Sequence, residues 1–317
     1  MMSVTKQTAR CARSILLVAM IGLSTLASAS PHDPCTIYKP EDIARAKRNI
    51  DQHAWARRAY SRIRLRVAQY SDMDRDRLRA FIPEQTPLIT VKCPNCGNGP
   101  WFAYELVNNG DALRCKSCKT TWTYDPKDTS ETWNVQSVLR TMRLTRVANE
   151  CDALGLVYQI EGDSKCAEKV AVIVERMAEV FRGYRMNKVN ANVWLKGNHP
   201  YYGKICGWKF REAGMLKSIV TGYDLIRESG VLTAEQCARI DRDLIEYTRD
   251  YFSESFGAAG YLGTQSIQDQ GYSYWCVAAC AALLGDTETL KSIVRMYEKM
   301  LAPDSWIFYG DGTFFEG

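Results

Sequence analysis

Four cysteines carry the sharpest chemistry in this sequence. Cys93 and Cys96 stand in C-P-N-C, Cys115 and Cys118 in C-K-S-C, giving CxxC-x18-CxxC. A two-residue gap lets both thiolates of a knuckle reach one cation at about 2.3 Å, and two knuckles complete a tetrahedron. Gly97 and Gly99 supply the turn freedom a knuckle needs, and Trp101, Phe102, Trp122 and Tyr124 are placed to cover a small ribbon. The expected ion is zinc. With all four positions filled by protein there is no open site for water, so its expected role is structural. Two local disulfides are the competing reading in an oxidising compartment.

Other stretches have the composition of sugar-binding loops. Gly183 to Gly203 contains N-V-W-L-K-G-N-H-P-Y-Y-G, and Ser253 to Gly271 carries Gly257, Gly260 and Gly263. Both exceed the usual loop length, and both are rich in aromatics and amides that stack on sugars or hydrogen-bond to them. His199 either meets a sugar or sits among neighbours that simply pack. Tyr201 and Tyr202 either stack on sugar rings or seal a helix end. Gln268 to Trp275 (Q-D-Q-G-Y-S-Y-W) is a polar, aromatic lead into an apolar run, where core packing competes with binding for Trp275. Lys204, Lys209 and Arg211 either attract an acidic chain or form a solvated helix face. His32 and His53 read as structural.

These loops need rigid supports, and the sequence supplies helices. Pro40 to Tyr70 reads as one long helix and Ser71 to Leu88 as a charged connector. From Trp133 onward helical spacing runs through Ser137–Glu161, Lys165–Phe181, Trp208–Ser229, Ala234–Phe252, Ser273–Leu284 and Thr287–Leu301. Thr233-Ala-Glu-Gln236 forms a capping box, Gly230 stands where a C-terminal glycine belongs, and Asp286 caps the last helix. The expectation is about seven helices in antiparallel hairpins, with strands confined to the ribbon.

The first residues read as an export signal. Lys6, Arg10 and Arg13 precede an apolar run from Ser14 to Leu26 and an A-x-A site at Ala27-Ser28-Ala29. Its removal takes away three basic residues and no acidic ones, so the formal charge falls from +5 to +2. A nearly neutral surface gives no reason to propose nucleic acid as a partner. No later stretch is apolar enough to span a membrane. The expected location is periplasmic or secreted. Outside the knuckles and the signal, seven scattered cysteines read mostly as small buried core residues, with room for one unnamed bridge.

Three stretches, taken in their order, resemble the heparinase II/III-like polysaccharide lyases. They are T-G-Y-D-L-I-R-E-S-G-V-L-T-A-E-Q (Thr221 to Gln236), A-A-L-L-G-D (Ala281 to Asp286) and D-G-T-F-F-E-G (Asp311 to Gly317). Some members also carry a two-knuckle cysteine insert after the first helix. The resemblance covers Pro40 to Gly317. It implies a mainly α fold: an incomplete (α/α) toroid of helical hairpins with a small zinc-ribbon insert, followed by a β-sandwich domain beyond the end of this chain. The resulting division is 1–29 signal peptide, 30–90 N-terminal helix and connector, 91–124 zinc ribbon and 125–317 truncated toroid.

The resemblance also implies β-elimination at a uronic acid of an acidic polysaccharide. In such lyases an Asn or His neutralises the uronate, a Tyr or His removes the C5 proton, and a Tyr protonates the leaving oxygen. On this chain it brings forward Gln270, Tyr272 and His199 as catalytic groups. Asn198, Tyr201, Tyr202, Gln268, Tyr274 and Glu316 follow as substrate contacts. Gln268, Gln270 and Tyr272 stand where the family has Asn or Asn-His, and the family's catalytic Tyr would lie past Gly317. The chain alone is therefore expected to be inactive and to be the N-terminal part of a longer protein. Two other classes fit the same features. A toroid glycoside hydrolase would use Asp269, Asp311 and Glu316, and a non-catalytic carbohydrate-binding protein would need no base. The oligomeric state stays open.

Overall fold

Apolar residues recurring at three- and four-residue steps make this chain mainly helical. The computed structural model describes residues 36–87, 92–99, 103–128, 134–186, 203–206, 209–257, 267–300 and 302; of 254–257, 267–270 and 299–300 it describes the backbone alone. The expected first helix is two, α1 (Pro40–Gln52) and α2 (Ala54–Ser71), with His53 between them in extended backbone (φ −121°, ψ 127°). The reason lies in the apolar pattern. In a straight helix Ala56 and Val67 would point on the order of 120° away from Ile43, yet all three are buried. The bend lets both stripes face inward, and Arg57 Nη1 closes the end of α1 by donating to the Asp51 carbonyl at 2.8 Å.

The expected connector contains a helix, α3 (Arg75–Ala80). Asp74 caps it by accepting the Arg77 N–H at 2.8 Å. Its charges are paired: Arg75 with Glu175 at 3.0 Å, Arg77 with Asp111 at 2.8 Å, and Arg79 with Glu179. A charge-rich sequence thus becomes a helix because acids from elsewhere in the chain meet it.

The ribbon is an antiparallel sheet of β1 (Tyr104–Val107), β2 (Ala112–Cys115) and β3 (Thr121–Thr123). Tyr104 faces Cys115 and Leu106 faces Leu113, while Leu113 also faces Trp122. The ribbon does not stand apart. Cys93, Tyr104, Leu113 and Cys115 share one core with Val135, Val138 and Leu139 of α4 (Val135–Ala148). Arg143 of α4 fixes the joint. Its guanidinium lies between the rings of Phe81 and Tyr124, 4.4 and 4.0 Å from their centroids, and donates to the carbonyls of Gly110 at 3.0 Å and Ala80 at 2.9 Å.

After α4 come α5 (Cys151–Glu161), α6 (Ser164–Val180) and a 3₁₀ turn (Phe181–Gly183). The single run expected from Ser137 to Glu161 is thus broken between Ala148 and Cys151. α7 (Lys209–Ile226) is the hub, packed on by α4, α5, α6, α9 and α10. α8 (Ala234–Ile240) opens with the expected Thr233–Gln236 capping box and continues through a π-helical turn (Asp241–Glu246) into α9 (Tyr247–Gly257). α10 (Ile267–Leu284) and α11 (Thr287–Met300) form the last hairpin, with Asp286 accepting the Thr289 N–H at 3.1 Å. Ten cysteines lie among the described residues and all are free; Cys151, Cys166, Cys206, Cys276 and Cys280 are buried, as core residues would be. No described helix is long and apolar enough to cross a membrane.

α5 and α7 cross at two glycines. A methyl group at Gly222 would fall 2.7 Å from the carbonyl oxygen and the sulfur of Cys151, and one at Gly155 would fall 2.9 Å from the Leu225 side chain. The obstruction at Gly222 includes backbone, so it cannot swing aside. Gly222→Ala is expected to lower stability by about 2 kcal/mol. The check is urea unfolding followed by circular dichroism, with a lower midpoint and an unchanged slope.

Candidate functional site

The four cysteines meet as the sequence requires. Gly97 donates to the Cys93 carbonyl at 2.8 Å with φ +70°, and Lys119 donates to the Cys115 carbonyl at 3.0 Å with φ +62°. These two left-handed residues turn each knuckle back on itself. Cys93 and Cys118 sulfurs are 3.6 Å apart, Cys96 and Cys115 sulfurs 3.8 Å, and all four lie within 4.8 Å of one another. A tetrahedron of sulfurs each about 2.3 Å from an ion has edges near 3.8 Å, whereas a disulfide bond is only about 2.05 Å long. The arrangement is that of a site able to hold a metal ion.

Its protonation supports the same use. Hydrogen bonds with Thr120, and then with Asn95, bring the Cys118 thiol down to about 5. The backbone at Asn98 pulls Cys96 in the same direction, but desolvation and the three neighbouring sulfurs outweigh it and push that thiol up to about 11. Four sulfurs this close cannot all shed protons without a cation to share them.

Beside the ribbon, α4 and the first turns of α7 form a groove of about 840 Å³. Leu106 enters it from β1 and Tyr272 from α10. Its polar lining is Thr141, Thr145 and Arg146 from α4, Asn149 just past its end, and Arg211 from α7, and Phe210 and Met142 supply apolar wall. Arg146 is steadied by Gln69, whose Oε1 accepts from its Nη2 at 2.5 Å. None of the described lining residues is Asp or Glu.

Under the groove lies a buried carboxylate that the sequence reading passed over. Glu212 accepts the N–H groups of Ile205 and, at 2.7 Å, Cys206, and it accepts the Tyr251 hydroxyl at 3.1 Å. A methyl group at Gly203 would collide with the Glu212 carboxylate at 2.0 Å, so only glycine lets the segment 203–206 wrap it. Burial pushes Glu212 up to about 7, against the pull of these donors. Lys204 and Lys209 are buried beside it rather than on a solvated face. Lys204 Nζ donates to the Arg182 carbonyl at 2.8 Å, and Lys209 Nζ sits 3.9 Å from the Tyr251 ring centroid. Arg211, by contrast, is exposed. The available signal was that apolar residues surround Glu212 along α7, which leaves a charge at that position little room on a solvated face.

Of the residues brought forward from the sequence, Tyr272 lines the groove and is 40% exposed. Tyr274 is not a surface contact. It is 1% exposed, its ring packs edge-on against Tyr297, and its hydroxyl points at the Met296 sulfur 3.8 Å away. Two residues along a helix turn a side chain to the opposite face. Gln268 and Gln270 lie in the first turn of α10, not in a loop, because that helix begins at Ile267; their side chains lie outside the described residues. Asn198, His199, Tyr201, Tyr202 and Glu316 also lie outside the described residues.

Two outcomes follow. Chelation is expected to expose all four thiols to a thiol reagent, and Cys115→Ser the remaining three; both should lower the melting temperature of the whole chain, since the ribbon shares its core with α4. Metal content and thiol counts before and after chelation check this. Glu212 lies above its ordinary 4.5 when folded. Its contribution is therefore complete below about pH 4.5 and is lost as pH rises through about 7, a fall on the order of 3 kcal/mol. Unfolding free energies from pH 4.5 to 8 should show that fall in the parent chain and a flatter profile in Glu212→Gln. No protein-family model matches this chain and no curated protein matches it.

Proposed function

We propose that this chain is the helical, N-terminal part of a polysaccharide lyase of the heparinase II/III-like kind, acting on an acidic, uronate-containing polysaccharide by β-elimination. The observation that carries the reading is the groove's composition. Two arginines, two threonines, an asparagine and an exposed tyrosine face one channel with no described acid among them. A polyanion made of hydroxyl-bearing rings suits such a wall. Arginine pairs with a carboxylate at two points, amides and hydroxyls match sugar hydroxyls, and Tyr272 offers both a ring and a phenol.

In this mechanism Arg211 draws in the uronate, and neutralising its charge acidifies the C5 proton. Acting as the base, Tyr272 takes that proton on its side-chain oxygen, the C4–O bond breaks, and the electron pair forms the C4–C5 double bond. The departing oxygen takes a proton from a second acid, which in the lyases this chain resembles is a Tyr; His199 stays a candidate contact to the sugar or its carboxylate. The hydrolase alternative requires a pair of carboxylates, and its candidates Asp269, Asp311 and Glu316 have side chains outside the described residues. We assign the cation of the four cysteines to zinc, because an all-thiolate tetrahedron suits that ion and leaves no position for substrate. It would be a structural ion, held by Cys93, Cys96, Cys115 and Cys118 and steadying β2 and, through its pairing with Leu113, Leu106 at the groove. The helical hairpins are taken as part of an (α/α) toroid, and the N-terminal segment as an export signal.

The test is ultraviolet absorbance of unsaturated products when the full-length protein meets uronate polysaccharides. Tyr272→Phe is expected to lower kcat by at least about 100-fold, the usual worth of a proton-transfer group, and Arg211→Gln to lower kcat as well as raise KM, because it removes the charge that acidifies the C5 proton. Chain cleavage without new absorbance would support the hydrolase instead, and glycan retention without turnover a binding protein.

A further inference from the structure

α2 is basic in an uneven way. It carries five arginines and no acidic residue. Three are engaged: Arg57 on the carbonyls of Ile50 and Asp51, Arg64 with Glu161, and Arg66 with Glu150. Arg58 and Arg62 are exposed and make no ion pair among the described residues. They share a stripe with Trp55 and Leu65, since positions 55, 58, 62 and 65 follow three- and four-residue steps. The opposite stripe, with Ala56, Val67 and Tyr70, is the buried one.

Trp55 and Leu65 are 59% and 77% exposed, more than any other large apolar side chain described. The Trp55 ring is held in place by stacking on His53, with centroids 6.1 Å apart and planes 14° from parallel. The stripe is therefore a row about 15 Å long of indole, guanidinium, guanidinium and isobutyl, presented outward by a helix anchored along its other side. A sugar chain could stack on the indole and pair with the arginines but would gain nothing from Leu65. An anionic bilayer surface uses all four groups. Phosphates accept from the guanidiniums, an indole settles at the headgroup level, and an aliphatic side chain reaches the acyl boundary.

We propose that this face of α2 docks the protein on an anionic phospholipid surface, lying along it without entering as a span. The groove reading plays no part in this, because Tyr272 and Arg211 belong to other helices.

Co-sedimentation of the full chain with phosphatidylcholine vesicles, with and without one quarter phosphatidylglycerol, tests it. Binding is expected at least about 10-fold tighter to the anionic vesicles at low salt, weakening at 0.5 M salt. Arg58→Gln with Arg62→Gln, and separately Trp55→Ser with Leu65→Ser, should each lower that affinity about 10-fold. Thermal unfolding should be unchanged in both pairs, since all four side chains face solvent. Equal affinity for neutral and anionic vesicles, no vesicle binding, or parent-like binding by both pairs would overturn the proposal. So would loss, in these pairs, of affinity for an acidic polysaccharide when vesicles are not bound.

Discussion

The structure depends on sinking most of α7 into the core. A charge buried within such a helix needs a partner inside the protein. Glu212 near its start accepts the N–H groups of the segment 203–206, and Asp224 near its end accepts those of Thr36 and Ile37 at 2.9 and 3.0 Å. In both cases a buried carboxylate gathers backbone from an approaching stretch that has no helix or strand of its own to satisfy it. Between the two, Gly155 and Gly222 let α5 come close enough to close the wall. The hub is therefore held by backbone hydrogen bonds at its ends and by small residues at its middle.

Much of this was legible in the sequence where local chemistry decides. The two knuckles, the capping box at Thr233, the aspartate cap at Asp286, and the left-handed glycines Gly230 and Gly285 all stand where their spacing put them. Each rests on residues within a few positions of one another. The buried free cysteines also follow from composition, since a thiol on an apolar helix face is a small core side chain.

What escaped depends on residues distant in the chain. The break at His53 comes from two buried stripes that no straight helix can turn to one side. The six-residue helix α3 exists because Glu175, Asp111 and Glu179 arrive from elsewhere to pair its arginines. Gly271 argued for a loop, yet it lies inside α10, where packing outweighs the roughly 1 kcal/mol that glycine costs a helix. Within the candidate site, Tyr272 lines the groove while Tyr274, two residues on, turns into the core, a distinction that polar aromatic composition does not make. Arg146 joins the groove from a helix, and Asn149 from the cap that ends it, in a stretch of sequence that carried no site signal at all.

The sharing of one core by ribbon and α4 has a thermodynamic consequence. Leu106 lines the groove and pairs with Leu113, two residues along β2 from the metal-site Cys115. A ligand bound against Leu106 and an ion held by the sulfurs would therefore rest on one shared pair of strands, and if either shifted that pair, reciprocity would make each alter the other's affinity by the same factor.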